Sequence, residues 1–204
     1  MPKQKARNRS SAFAPRSVDT REPRQRFLIV CEGERTEPNY FRAFRVPGLV
    51  IEIKGIAKQA RQLVEEAIRY RNQQPYDQVW CVFDRDDVLA AEFNDAIRFA
   101  KQEDMDVAYS NEAFELWYLL HFHYYATALQ RQQYADLLDK LLKHRYVKNS
   151  TTMYAGLLIL QPQALKHAHK LLAEHPSSST PASCNPSTTV HLLVEELNKH
   201  RRDD

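Results

Sequence analysis

Short apolar runs alternate with helical stripes through the first 125 residues, and this alternation limits the possible folds more sharply than any other feature. Phe27-Leu28-Ile29-Val30-Cys31 is a continuous apolar run of strand length, the pattern of a strand buried on both faces. Leu49–Ile53, Gln78–Phe83 and Met105–Tyr109 repeat it. Helical segments lie between them. Thr36 is placed to cap a helix running to Arg45, with Glu37 in its first turn and Pro38 near its start. Lys58–Arg71 sets Ala60, Leu63, Val64, Ala67 and Ile68 on one stripe, and Val88–Lys101 does so with Leu89, Phe93, Ala96, Ile97 and Ala100. Ser110 or Asn111 is expected to cap a fourth helix, Glu112–His123. Strands separated by such helices predict an α/β fold with a mostly parallel, four-stranded sheet covered by helices on both faces.

Beyond residue 125 the strand pattern ends. Gln130–Lys143, Gln163–Ala173 and Thr189–Lys199 read as helices, with a weaker one over Met153–Leu160 and a Pro/Ser/Thr-rich loop within 175–188. The expected organisation is an α/β core, 26–125, and a C-terminal helical annex, 126–204, either packed on the sheet or standing as a small subdomain. Residues 1–25 lack hydrophobic periodicity and are expected to form a disordered basic arm. Eight basic and two acidic residues fall in 1–26, whereas the other 178 residues carry 21 basic and 24 acidic ones. Such an arm either contacts phosphates in a salt-sensitive, sequence-blind manner or is a solvated terminus without a role.

Several classes are excluded by what the chain lacks. No apolar run approaches the ~20 residues of a membrane-spanning helix, and no apolar segment follows the N-terminal basic residues as in a secretory signal. Cys31, Cys81 and Cys184 are far apart and never in a CxxC pair, which supports neither a disulfide framework nor a zinc ribbon. With only Gly33, Gly48, Gly55 and Gly156, no GxGxxG or P-loop can be written. A cytoplasmic protein with one core is the expectation.

Two strands end directly in acids. The first runs into Glu32-Gly33-Glu34-Arg35-Thr36-Glu37 and the third into Asp84-Arg85-Asp86-Asp87. Ligands of open parallel sheets gather at the carboxyl ends of strands. In an extended chain Asp84 and Asp86 share a side with Cα atoms roughly 6.5–7 Å apart, which suits two carboxylates converging on a hard divalent cation. Gly33 leaves room for a phosphate or metal to approach the backbone. Glu32, Asp84 and Asp86 would repel one another in a cleft without a cation. The plainer alternative is that these acids sit in solvated loops or at helix starts, which suits Asp87 and Glu37. Asp84-Arg85-Asp86-Asp87-Val88 also fits the D-x-D-x-[TV] pattern of haloacid-dehalogenase-like phosphatases, whose first Asp is a nucleophile. That pattern ends the first strand of its sheet, however, and here it ends the third.

An apolar strand ending in Glu-Gly, with a strand ending in Asp-x-Asp some 50 residues later, resembles the Toprim domain of topoisomerases, primases and OLD-family nucleases. More narrowly, Cys31-Glu32-Gly33-Glu34-Arg35-Thr36-Glu37-Pro38-Asn39-Tyr40-Phe41 is similar to the opening motif of the RloB-like family. Phe83-Asp84-Arg85-Asp86, Ser110-Asn111-Glu112-Ala113-Phe114-Glu115-Leu116-Trp117, His121-Phe122 and Asn185-Pro186-Ser187-Thr188-Thr189-Val190 follow in order. The resemblance spans residue 27 to about 197. It implies a small Toprim-like protein encoded beside an ABC- or AAA-type ATPase and associated with anti-phage defence by abortive infection. It further implies Mg²⁺ (or Mn²⁺)-dependent cutting of DNA or RNA. Glu32 would be general acid/base or metal contact, Asp84 and Asp86 metal ligands, and Glu37, Glu115 and Ser187 secondary members. A second expectation is a non-catalytic accessory subunit that binds the ATPase or nucleic acid. Homo-oligomerisation is left open.

Other residues carry weaker expectations. Glu115 is either a first-turn acid favouring the helix dipole or a third acid leaning towards the metal. Trp117 and Tyr118 are expected in the core. His121 and His123, two apart on a helix, face different directions and suit no common zinc ion. Arg85 either clamps a phosphate or pairs with an acid. Lys148 is a solvated lysine or a contact to a nucleic-acid backbone.

Overall fold

The computed structural model describes residues 24–201 except Asp87. The expected arm therefore lies almost wholly outside the described residues, as does the reading of Asp87. The chain runs β1 (Gln25–Cys31), α1 (Thr36–Arg42), β2 (Leu49–Gly55), α2 (Ala60–Arg71), β3 (Gln78–Asp84), α3 (Ala90–Gln102) and β4 (Asp106–Asn111). It continues through α4 (Glu115–Phe122), α5 (Arg131–Leu142), α6 (Met153–Leu157), α7 (Gln161–Ala173), β5 (Ser187–Thr188) and α8 (Val190–Asn198).

The sheet order is β2-β1-β3-β4-β5, with β1 to β4 parallel and β5 antiparallel to β4. Phe27 to Cys31 are all fully buried, which explains why the run shows no alternation. Phe27, Ile29 and Cys31 face the layer of α1, α4 and the annex, while Leu28 and Val30 face α2 and α3. Tyr134 and Leu138 of α5, Ala164 and Leu171 of α7, and Leu193 and Leu197 of α8 share one apolar cluster with Phe27 and Tyr40. The annex is thus packed on the sheet. α4 runs between the two, so Leu116, Trp117, Leu119 and Leu120 are all fully buried and no polar face remains on this stretch. Trp117 and Tyr118 are core residues. Among the described residues no helix is long and apolar enough to cross a membrane.

The structure corrects the sequence reading in three places. The sheet has five strands, not four, because Ser187 and Thr188 pair with Asn111 and Ser110; two residues are too short to show a period. Ser110 and Asn111 end β4 instead of capping a helix, and α4 starts at Glu115 without a side-chain cap. The Asn111 side chain donates instead to the carbonyls of Pro181, Ala182 and Cys184, at 3.3, 3.2 and 2.8 Å. That contact pins part of the expected 175–188 loop, with Ala182 and Cys184 buried. Thirdly, Thr36 is the first residue of α1 and does not cap it, and its Oγ1 donates to the carbonyl of Lys148 at 2.7 Å.

Candidate functional site

The chain leaves β1 for β2 on one side, while β3 lies on the other, so the connections reverse between β1 and β3. Open parallel sheets bind ligands at the carboxyl end of such a reversal. A cleft of about 350 Å³ opens there. Glu32, Glu37, Asp84 and Asp86 line it, with Arg35, Arg131, Lys148 and Asn149.

Glu32 follows β1 directly. Its N–H donates to the Val82 carbonyl at 2.8 Å and its carbonyl accepts from Ala57 at 2.9 Å, so its backbone stays in register with both neighbours. Its Oε2 accepts from the N–H of Asp84 at 3.1 Å, tying the two strand ends together. Burial pushes its pKa up to about 7; the negative charges of Asp86 and Glu37 add to this, and the Asp84 N–H and Arg131 oppose it. Asp84 ends β3 with 6% exposure and accepts from the N–H of Phe114 at 3.0 Å. Burial, then the charges of Glu37 and Glu115, hold its carboxyl well above the usual range.

The chain is not extended from Asp84 to Asp86. Arg85 N–H donates to the Ser110 carbonyl and Asp86 N–H to that of Glu112, and Asp86 has φ 38°. A turn, not strand alternation, carries Asp86 into the cleft. Its Oδ2 accepts from Arg131, while its Oδ1 is buried without a partner among the described residues. Its pKa is raised by burial against the opposing charge of Arg131. Glu37 sits in the first turn of α1, 6% exposed, with Oε2 likewise unpartnered. Burial, then Glu115, raises its pKa, and Lys148 and Arg131 lower it. A Cβ built on Gly33 would lie 2.2 Å from this Oε2. The room expected beside Gly33 for a phosphate or metal is therefore taken by the Glu37 carboxyl.

Glu115 does not line the cleft. It is buried at the start of α4, where its Oε1 accepts from the Tyr146 hydroxyl at 3.1 Å, and its charge bears on Asp84 and Glu37. Lys148 lines the cleft with its side chain exposed. Arg85 lies outside the lining residues, with Nε buried and without a partner among the described residues. Ser187 is not among the lining residues: it is fully buried in β5 and donates to the Cys184 carbonyl at 2.6 Å. His121 is buried with Nδ1 against the Trp117 carbonyl, and His123 is exposed, so the pair shares no ligand position.

Arg131, Tyr146, Arg35 and Asn149 are functional candidates that the sequence reading passed over. Arg131 had one signal: it is the first residue of α5, where the helix dipole disfavours a cation. Residues that break a local rule mark functional sites.

The five lining carboxylates, Glu34 included, offer hard oxygen donors, and two buried oxygens, Glu37 Oε2 and Asp86 Oδ1, have no partner among the described residues, so the donor chemistry fits Mg²⁺ or Mn²⁺. Among the described residues no three His, Cys, Asp or Glu side chains are already grouped to hold a metal ion; Asp86 is turned to Arg131 instead.

No curated protein and no solved structure matches the chain significantly. The model of the RloB-like protein family matches residues 27–197, from within β1 through α8. The chain belongs to the RloB-like protein family.

Proposed function

We propose that this RloB-like protein is a Toprim-type phosphodiester hydrolase that cuts nucleic acid with Mg²⁺ or Mn²⁺. Its biological role would be that of an anti-phage defence effector working beside an ABC- or AAA-type ATPase. The observation that carries the chemical part is the shared cleft. Glu32, Asp84 and Asp86 line it at or just past the ends of two adjacent parallel strands, Glu37 lines it from the first turn of α1, and Arg131 and Lys148 stand on its wall. The role in defence and the ATPase partner rest on the family resemblance.

A bound divalent cation supplies Lewis-acid polarisation of a phosphoryl oxygen and an acidified water. Asp84, Asp86 and Glu37 are the residues that would hold it, by the oxygens described above. Glu32, with a pKa of about 7, is suited to accept and return a proton near neutral pH. The guanidinium of Arg131 presents a planar fork matched to two phosphate oxygens; on substrate entry it exchanges Asp86 for phosphate.

The test uses the full chain, labelled DNA and RNA oligonucleotides, and Mg²⁺ or Mn²⁺. Asp84→Asn retains an oxygen for the Phe114 N–H and is expected to fold. It should lower cutting by at least about 100-fold, the scale of losing one electrostatic group from a reaction centre. Undiminished cutting by this variant refutes the assignment.

A second reading, the non-catalytic accessory subunit, is favoured by the ion pair that turns Asp86 to Arg131. It is opposed by the convergence of Glu32 on Asp84. Capture of a neighbouring ATPase that Asp84→Asn leaves intact, with no cutting by the wild type, supports it.

A further inference from the structure

We propose that the end of α5 and the loop that follows it, residues 140–148, grip the phosphate backbone of a nucleic-acid strand running out of the cleft. The nature of the ligand rests on the hydrolase reading; the surface itself rests on its own observations.

Lys140, Lys143, Arg145 and Lys148 fall within nine residues, and all four side chains are exposed. None of them stands in an ion pair among the described residues. By contrast Lys54, Lys58, Arg61, Arg69 and Arg71 are each paired with a glutamate. Of the two carboxylates on α5, Asp139 is turned inward to accept from the Tyr146 N–H, and Asp136, one turn before Lys140, forms no ion pair among the described residues.

The backbone beneath these cations is held in place. Tyr146 is anchored through its hydroxyl to Glu115 at 3.1 Å. The carbonyls of Lys148 and Asn149 accept from Thr36 Oγ1 and Asn39 Nδ2, at 2.7 and 3.0 Å. Only side-chain freedom is lost on binding, so charge is presented at low ordering cost. Lys148 lines the carboxylate cleft, and Arg145, Lys143 and Lys140 precede it along the chain towards α5. Val147, 58% exposed, offers an apolar edge to a sugar or base. Exposed cations without ion-pair partners among the described residues, running from the cleft wall at Lys148 back to α5, are complementary to a continuous polyanion.

The experiment measures binding of a fluorescein-labelled 20-mer to the full chain in EDTA, by anisotropy, over a range of salt. Lys140→Gln, Lys143→Gln and Arg145→Gln are combined; none lines the cleft. Each lost phosphate contact lowers the log–log salt slope by about 0.9 on duplex DNA or about 0.7 on a single strand. The triple variant should therefore lose about 2–3 of slope and bind roughly 100- to 500-fold more weakly at 0.1 M salt. Hydrolysis of bis(p-nitrophenyl) phosphate in Mn²⁺ should be unchanged. Should the triple variant fail to fold, Arg145→Gln alone should lower the slope by about 0.7–0.9. Equal affinity and slope in wild type and variant overturn the proposal, as does competition by poly-glutamate as strong as that by an oligonucleotide of equal charge. Failure of the hydrolase reading would appear separately, as absence of cutting with EDTA-phase binding intact.

Discussion

At pH 8 the Glu32→Gln variant is expected to resist urea better than the wild type, although Glu32 lies in the proposed reaction centre. Burial raises the carboxyl of Glu32 from 4.5 to about 7 in the folded protein. A group whose folded pKa is raised contributes stability that is fully present below its unfolded pKa and lost as pH rises through the folded one. The loss runs from about pH 4.5 to 7. At 1.36 kcal/mol per pH unit it amounts to about 3 kcal/mol at most. Glutamine keeps an oxygen for the Asp84 N–H, now 3.1 Å from Glu32 Oε2, and carries no charge to desolvate. Glu37, Asp84 and Asp86 shift in the same direction, so the wild type also weakens through them. The difference between the two proteins isolates Glu32. Urea unfolding followed by circular dichroism at pH 4 and pH 8 should give nearly equal midpoints at the lower pH, below the unfolded pKa. At the higher pH the variant should lead by about 2–3 kcal/mol with unchanged m. Divalent cation at 100 times its Kd should return about 2.7 kcal/mol to the wild type and less to the variant. A variant as stable as, or weaker than, the wild type at pH 8 would refute the reasoning.

Three further substitutions test the supports of the cleft. Gly55→Ala places a Cβ 2.7 Å from Glu34 Cα and from the Gly33 carbonyl, both backbone of the loop beyond Glu32. It should cost about 1–3 kcal/mol by overpacking and lower cutting by more than the lost folded fraction; an unchanged melting curve and rate contradict this. Tyr146→Phe strips Glu115 of its hydroxyl donor and should cost about 1–3 kcal/mol, read by denaturant midpoint. Asn111→Ala removes the donor from three carbonyls of residues 181–184. A similar loss of about 1–3 kcal/mol is expected, with faster amide exchange confined to that segment at first; uniform exchange would contradict the pinning role.

Strand runs such as Phe27–Cys31 and Gln78–Phe83 are legible in sequence because burial on both faces leaves an uninterrupted apolar string. The acids that follow them are legible because position after a buried strand already places them at one end of the sheet. The remainder depended on contacts between distant segments. Ser110 and Asn111 look like caps, yet their backbones continue β4 because Ser187 and Thr188 arrive to pair with them. Asp86 reaches the cleft through a left-handed turn that no period encodes. Glu37 reads as an ordinary first-turn acid, and only the fold shows it buried against Gly33. Arg131 violates the helix-dipole preference, a weak mark until Asp86 is found opposite it.

The tether between Thr36 and the Lys148 carbonyl joins residues 112 positions apart, and it sets a clock on synthesis. A ribosome adding about 5–20 residues per second makes Lys148 some 6–20 s after Thr36. Glu32 is made before that interval and the acids of β3 partway through it, whereas Arg131 arrives only near its end and the Lys148 wall last. The wall that Arg131, Lys148 and Asn149 add to the cleft closes only with the annex, after most of the sheet exists. A nascent chain therefore carries the acids of the cleft long before it carries the cleft.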